Sequence, residues 1–395
     1  MSSVVPLARP SFGKEEAQAV KEVLASGWVS QGPRVEAFET RLSELLGCRY
    51  VCAVNSCTSA IMLVLRALDI GVGDSVVVPA FGCAASALPI LETGARPLFA
   101  DIDPATFNIS WHTIERALEK RTRVVIVAHM FGQICDMALI VKECRRRGLI
   151  LIEDAALAFG ARKGERRAGT FGLAGCLSFH PRKMVTTGEG GAVCTDDSDL
   201  AARVREGRNY GASRTAWVRF QKADGSPKGF TRLAFNCKLT DLQAAIGLVQ
   251  LQRLPGFLAR RRQIAGFYSD QLKSFSQLKL PSIPAAEWEH VFQAYVCTFL
   301  TGSYAEVVSR PRRLRSLEKD LVSLKSSLSK HDVAASDAGQ FLPDLPVFGG
   351  ERSPREWPYA YLASRLAFAL PIYPGMFGSD ARRVVNAVGA ALAEQ

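Results

Sequence analysis

No two of the ten cysteines stand in Cys-x-x-Cys spacing, and the five histidines (His112, His129, His180, His290, His331) show no metal-ligand spacing either. The common zinc sites are therefore not expected. Most of the cysteines sit inside apolar runs, so buried free thiols in a reducing compartment fit better than a disulfide framework. No apolar stretch is long enough to span a bilayer. The opening Met1-Ser2-Ser3-Val4-Val5-Pro6 has no basic segment followed by an apolar one. A soluble cytoplasmic protein, without membrane insertion, is the expectation. Internal repeats and low-complexity tracts are also lacking.

Charge is what the sequence has in surplus. The formal net charge is +11, which favours anionic partners such as phosphates and nucleotides. Three basic runs stand out: Arg145 to Arg147, Arg260 to Arg262, and Arg310 with Arg312, Arg313 and Arg315. None is interleaved with the aromatics that single-stranded nucleic acid stacks on, so solvated helix faces are the first reading and no nucleic-acid partner is expected. The 395 residues can bury a large core, and 48% hydrophobic with 22% charged is an ordinary globular balance.

Along the chain, residues 14 to 26 carry Ala17, Val20, Val23 and Leu24 at helical spacing. The loop Gly27-Trp28-Val29-Ser30-Gln31-Gly32-Pro33 and a second helix with Val35, Phe38, Leu42 and Leu45 follow. Then short apolar runs alternate with helical patterns. The runs lie at 75–79, 96–101, 123–129 and 149–154, and the helices at about 57–69, 111–120 and 137–147. Runs apolar on both faces with helices between them predict an α/β fold, a mostly parallel sheet covered on both sides. In such sheets ligands bind beyond the carboxyl ends of the strands. Thr240 caps a long helix carrying Leu242, Ala245, Ile246 and Val249. Beyond residue 255 polar, basic helical stretches flank one strand-like run at 294–300. The expected division is a large domain over 1–255 and a smaller C-terminal α+β domain over 256–395.

Three groups of residues could share one ligand. Lys183 lies in a polar turn between Ser178 and Thr186-Thr187-Gly188-Glu189-Gly190-Gly191. A lysine there is ordinarily a surface lysine, but small hydroxyls suit a phosphate and glycines permit close backbone approach. Asp154 ends the most apolar strand. It could simply cap a helix. It could also keep a pyridine nitrogen protonated, since opposite charges stabilise each other's ionised form. Asn55-Ser56-Cys57-Thr58-Ser59 starts a helix, whose free amides bind phosphate. Together they offer a phosphate cradle (Thr58, Ser59, Ser178), a counter-charge for a ring nitrogen (Asp154) and an amine for a Schiff base (Lys183). That set is the shape of a pyridoxal 5'-phosphate site.

On these residues the chain resembles the DegT/StrS-type sugar aminotransferases, pyridoxal-phosphate enzymes of fold type I. The matching stretches cover most of residues 10 to 270 and a piece near 370. They include the Gly27–Pro33 loop, Asn55 to Ser59, Glu153-Asp154-Ala155-Ala156, and Ser178-Phe179-His180-Pro181-Arg182-Lys183 with its glycines. Phe235 to Ala245 and Leu370-Pro371-Ile372-Tyr373-Pro374-Gly375 complete them. The resemblance implies that Lys183 holds the cofactor covalently and moves the proton, that Asp154 holds the ring nitrogen, and that Thr58, Ser59 and Ser178 hold the phosphate. It implies that His180 lies close to the substrate and that Asn236 reaches the cofactor phosphate of a second subunit in a homodimer. The implied reaction passes an amino group, with L-glutamate as donor, to a nucleotide-linked keto sugar. A cyclitol or other non-sugar ketone, or a non-catalytic regulator keeping the fold, is the alternative. His180 tilts the reading toward sugars, and Lys183 argues against the dehydrating members, which carry histidine there.

Four departures from the family pattern bear on the substrate. Leu157 replaces a Gln or His and cannot hydrogen-bond the cofactor's phenolic oxygen. Cys83 stands where an aromatic often stacks on the ring, which leaves that contact to Phe81, to a neighbour, or to nothing. Lys238 replaces an arginine and loses its bidentate fork. Asp337-Ala338-Gly339-Gln340-Phe341-Leu342-Pro343-Asp344 replaces the usual His-Pro substrate segment.

Overall fold

The computed structural model describes residues 4–213, 216–221, 230, 233–282, 287–350 and 353–394. Met1 to Ser3 of the opening stretch lie outside them. A run such as Ser75-Val76-Val77-Val78-Pro79 has apolar side chains pointing both ways, so it can only sit between two covered faces, and all five residues are buried. Seven such strands form one sheet. From edge to edge they are Tyr50–Val54, Gly191–Thr195, Ala174–Ser178, Ile150–Asp154, Thr122–Ala128, Ser75–Pro79 and Arg96–Ala100. Gly191–Thr195 is antiparallel to both its neighbours. The other neighbouring pairs are parallel.

The crossover helices begin where the sequence pattern puts them, at Cys57, Trp111 and Met137, and stop one to three residues early. Cys57–Ala67 ends because Asp69 turns into the left-handed region at φ 51°. Five parallel strands therefore bring their carboxyl ends to one edge, and Asp154 and Ser178 are the last residues of two adjacent ones.

A second hydrophobic cluster surrounds a four-stranded antiparallel sheet, in the order Leu278–Lys279, Tyr295–Phe299, Ala367–Leu370 and Ser336–Asp337. The expected division at residue 255 falls inside one helix, Asp241–Leu272, at Pro255. Leu251 and Leu254 of that helix pack in the first cluster, and Ile264, Ala265, Tyr268 and Leu272 in the second. Val5 belongs to the second cluster and bridges to Val333, so the chain's first described residues pack with its last third. The helix is tied to the opening loop by its own N-terminus. Thr240 accepts from the Gln243 amide (3.2 Å), and the buried Asp241 carboxylate accepts from the amides of Gly32 (2.8 Å), Arg34 (3.1 Å) and Val35 (3.0 Å). Among the described residues no helix is long and apolar enough to cross a membrane. Nor do three or more His, Cys, Asp or Glu side chains gather there as a metal ion would need.

Candidate active site

Beyond the strand ends lies a cavity of about 460 Å³ whose walls include Thr58, Asp154, Ser178, His180 and Lys183. A larger cleft, about 930 Å³ between residues 96–119 and 303–305 with 355–359, has no lysine in its walls, so the chemistry selects the smaller cavity. Lys183 follows the strand Ala174–Ser178 through a turn closed by its amide on the His180 carbonyl (2.9 Å). Burial holds its amine below the ordinary lysine value, and the nearby Asp154 carboxylate works in the opposite direction.

The Asp154 carboxylate is buried and held from three sides. Oδ2 accepts from Ser86 Oγ at 2.5 Å, and Oδ1 accepts from the Ala156 amide at 3.0 Å and from Cys57 Sγ at 3.8 Å. No helix follows Asp154 directly, so the helix-cap alternative reduces to this turn bond with Ala156. Bonds of this kind fix the orientation of a carboxylate. Ser86→Ala is expected to lower kcat about tenfold, the scale of one hydrogen bond to a charged group, while Ser86→Thr restores most of it. Steady-state kinetics on the two variants checks this, and an unchanged rate in Ser86→Ala contradicts it.

The phosphate end is read from the helix Cys57–Ala67. Ser56 caps it by accepting from the Ser59 amide (3.0 Å), and Ser59 Oγ lies 2.9 Å from Ser56 Oγ. Ser59 is thus engaged with the cap and is not among the lining residues, whereas Thr58 is. Among the described residues the Cys57 and Thr58 amides have no acceptor. Gly191 makes the close approach possible, because a Cβ there would come within 2.4 Å of the Ser56 carbonyl carbon. A helix N-terminus with free amides, two hydroxyls (Thr58, Ser178), an anchored carboxylate and a buried amine in one cavity fit pyridoxal phosphate part by part.

The departures are resolved individually. Cys83 is exposed and lines the cavity, but Phe81 is fully buried against Phe107 (5.8 Å) and Phe131 (6.3 Å) and does not line it. Leu157 lines the cavity as an apolar wall. Lys238 sits over the Tyr210 ring at 3.9 Å, away from the cavity. Ser336 to Gln340 cross the cavity mouth. Gln340 and Phe341 pair with Gly82 and Phe81 as a separate two-stranded sheet, so this segment ties the four-stranded sheet to the first hydrophobic cluster. Asn236 is exposed and lies outside this chain's own cavity.

Sequence reasoning missed Ser86, Cys57 and a buried pair behind the site. His129 donates from Nε2 to Glu153 (2.8 Å) while its Nδ1 accepts from the Cys135 amide (3.2 Å). The Glu153 carboxylate also accepts from the amides of Gly169, Phe171 and Gly172. The one available signal was a glutamate in a strand otherwise apolar up to Asp154.

The model of the DegT/DnrJ/EryC1/StrS aminotransferase family matches residues 10–389. The spore coat polysaccharide biosynthesis protein SpsC of Bacillus subtilis (strain 168) is 35% identical over 384 residues, covering 97% of this chain and 96% of that protein. The crystal structure of the aminotransferase TlmJ from Streptoalloteichus hindustanus superposes with a TM-score of 0.88 at 31% identity over 99% of both chains. Helicobacter pylori PseC, at 23% identity and a TM-score of 0.88 over 100% of both chains, shares the fold.

Proposed function

This chain belongs to the DegT/DnrJ/EryC1/StrS aminotransferase family and is a pyridoxal-phosphate-dependent sugar aminotransferase, and from that premise we propose that it moves an amino group from L-glutamate to a nucleotide-linked keto sugar. The observation that carries the reading is the buried amine of Lys183 sharing one cavity with the anchored carboxylate of Asp154. The cofactor, when bound, supplies an aldehyde carbon that takes up an amine and a ring that accepts an electron pair.

In this reading Lys183 Nζ ties the cofactor down at rest. When free, Nζ would take a proton from the reacting carbon of the donor and give it back to a neighbouring atom. Burial lowers its pKa, which favours the neutral amine that a base needs. Asp154 would hold the ring nitrogen in its protonated form, and Ser86 and Cys57 keep Asp154 aimed. Thr58, Ser178 and the free amides at the helix start hold the phosphate, with Ser59 supporting the cap. His180 accepts the Arg182 amide at Nδ1 (3.2 Å), so Nε2 carries the hydrogen and can donate to a substrate oxygen. Ser336 to Gln340 limit water at the mouth.

The test is to add L-glutamate alone to the yellow holoenzyme. The yellow absorbance should bleach with release of one equivalent of 2-oxoglutarate per site, and a nucleotide-linked keto sugar should restore it. No bleaching with glutamate removes the donor assignment. Bleaching that simple sugars or cyclitols reverse as well as nucleotide sugars do removes the acceptor assignment.

Asn236 is proposed to complete the cofactor site of a second subunit in a two-fold dimer. Lys183→Ala and Asn236→Ala subunits, each inactive alone, should regain activity when mixed, because one site of the hybrid carries both lesions and the other carries neither. Hybrids shown to form that remain as inactive as their parents contradict the shared site.

A further inference from the structure

Arg182 precedes Lys183 and stands on the rim of the same cavity. Its backbone is held at both ends by side chains that also line that cavity. The Arg182 amide donates to His180 Nδ1 (3.2 Å), and its carbonyl accepts from Gln293 Nε2 (2.9 Å). Gln293 is held in turn. Its carbonyl, with those of Phe292 and Ile372, accepts from the buried guanidinium of Arg261 at 3.0 to 3.1 Å. The base of the Arg182 side chain is therefore fixed by a relay that reaches the second hydrophobic cluster.

The guanidinium itself has no hydrogen-bond partner among the described residues. Among the described residues no carboxylate pairs with Arg182, whereas Arg162 and Arg262 share Glu289 and Arg253 holds Glu16. Two acidic groups lie on the same rim, and neither is paired with Arg182. Asp337 is paired with Lys325 Nζ at 2.7 Å, and Glu189 faces His180 Nε2 at 3.9 Å. The charge of Arg182 reaches inward, since it contributes to depressing both His180 and Lys183 behind the larger effect of burial. A pinned backbone with an unpaired, five-donor fork at a cavity mouth is suited to a planar anion or a phosphoryl group.

Which anion follows from position. Both residues line the cavity, but Arg182 is exposed and Lys183 is not, so Arg182 stands the farther out of the two and suits a group some way from the carbon that reacts at Lys183 Nζ. The α-carboxylate of an amino donor is one bond from its reacting carbon. The phosphoryl groups of a nucleotide-linked sugar lie several bonds away. We propose that Arg182 anchors the phosphoryl end of the amino acceptor at the cavity mouth. This rests on the reading of the acceptor as nucleotide-linked.

The test uses the holoenzyme and nucleoside diphosphates as probes. Binding of UDP, dTDP, GDP and CDP is measured by titration calorimetry to wild type, Arg182→Gln and Arg182→Lys, with retained yellow colour as the control for folding and cofactor. Arg182→Gln should weaken the best-bound nucleotide about tenfold or more, and Arg182→Lys should recover part of the loss, because a point charge keeps the attraction without the fork. Wild-type affinity in Arg182→Gln overturns the anchor and leaves the acceptor class standing. Unchanged nucleotide binding with a loss confined to the L-glutamate half-reaction assigns Arg182 to the donor and also overturns it. A wild type that binds none of the four overturns the nucleotide-linked reading and the anchor together.

Discussion

A Lys183→Ala protein should be colourless after purification and should lose at least about 10⁴-fold in turnover with any donor. Two functions leave with one atom: the amine that ties the cofactor down and the base that moves the proton. Lys183→Arg should fail as well, because a guanidinium stays charged and cannot serve as either. The fold should survive, since the lysine amine makes no hydrogen bond or ion pair to a described residue and its backbone bond to His180 is kept. Absorbance of the purified protein and a coupled transaminase assay read both effects. A yellow, active Lys183→Ala enzyme would move the chemistry to another lysine.

Asp154→Asn should keep its cofactor and lose turnover by roughly 10²- to 10³-fold. An amide keeps the shape of the side chain and can still accept the Ala156 amide, so the turn after the strand Ile150–Asp154 should hold. What it lacks is the negative charge that keeps a ring nitrogen protonated and lets the ring accept an electron pair. Ser86 Oγ, 2.5 Å from Oδ2, would face either an amide N–H or a lone carbonyl, so the aim of the side chain weakens too. Rate constants for the glutamate half-reaction separate this from a binding defect. A wild-type rate in Asp154→Asn would reduce Asp154 to its turn bond.

The sheet was legible because buried parallel strands are apolar on both faces. Val76 to Val78, Val124 to Val127 and Ile150 to Ile152 can form little else between helical patterns. Asp154 was legible as the polar end of such a run, and Ser178 as a small hydroxyl in the same turn segment as Lys183. The strand Tyr50–Val54 was missed, and its edge position does not explain this, because Arg96–Ala100 at the opposite edge was legible. Ser86 was invisible: a serine in a three-residue turn matters because of a carboxylate 68 residues later. The relay from Arg261 through Gln293 to Arg182 likewise joins three segments that only the fold brings together. Phe81, two residues from Cys83, was one of three possibilities for the missing aromatic, beside a neighbour or nothing. Its ring instead packs into the core with Phe107 and Phe131. Asn236 carried no signal of its own and was raised by resemblance alone.

The central claim is that Lys183 is the residue covalently joined to the cofactor. Reducing the yellow holoenzyme with borohydride makes that link permanent, and digestion with mass mapping locates it. The account predicts one pyridoxyl-phosphate addition per chain, on the peptide carrying His180-Pro181-Arg182-Lys183 and on Lys183 itself. An addition on another lysine, or a reduced protein that carries none, contradicts it.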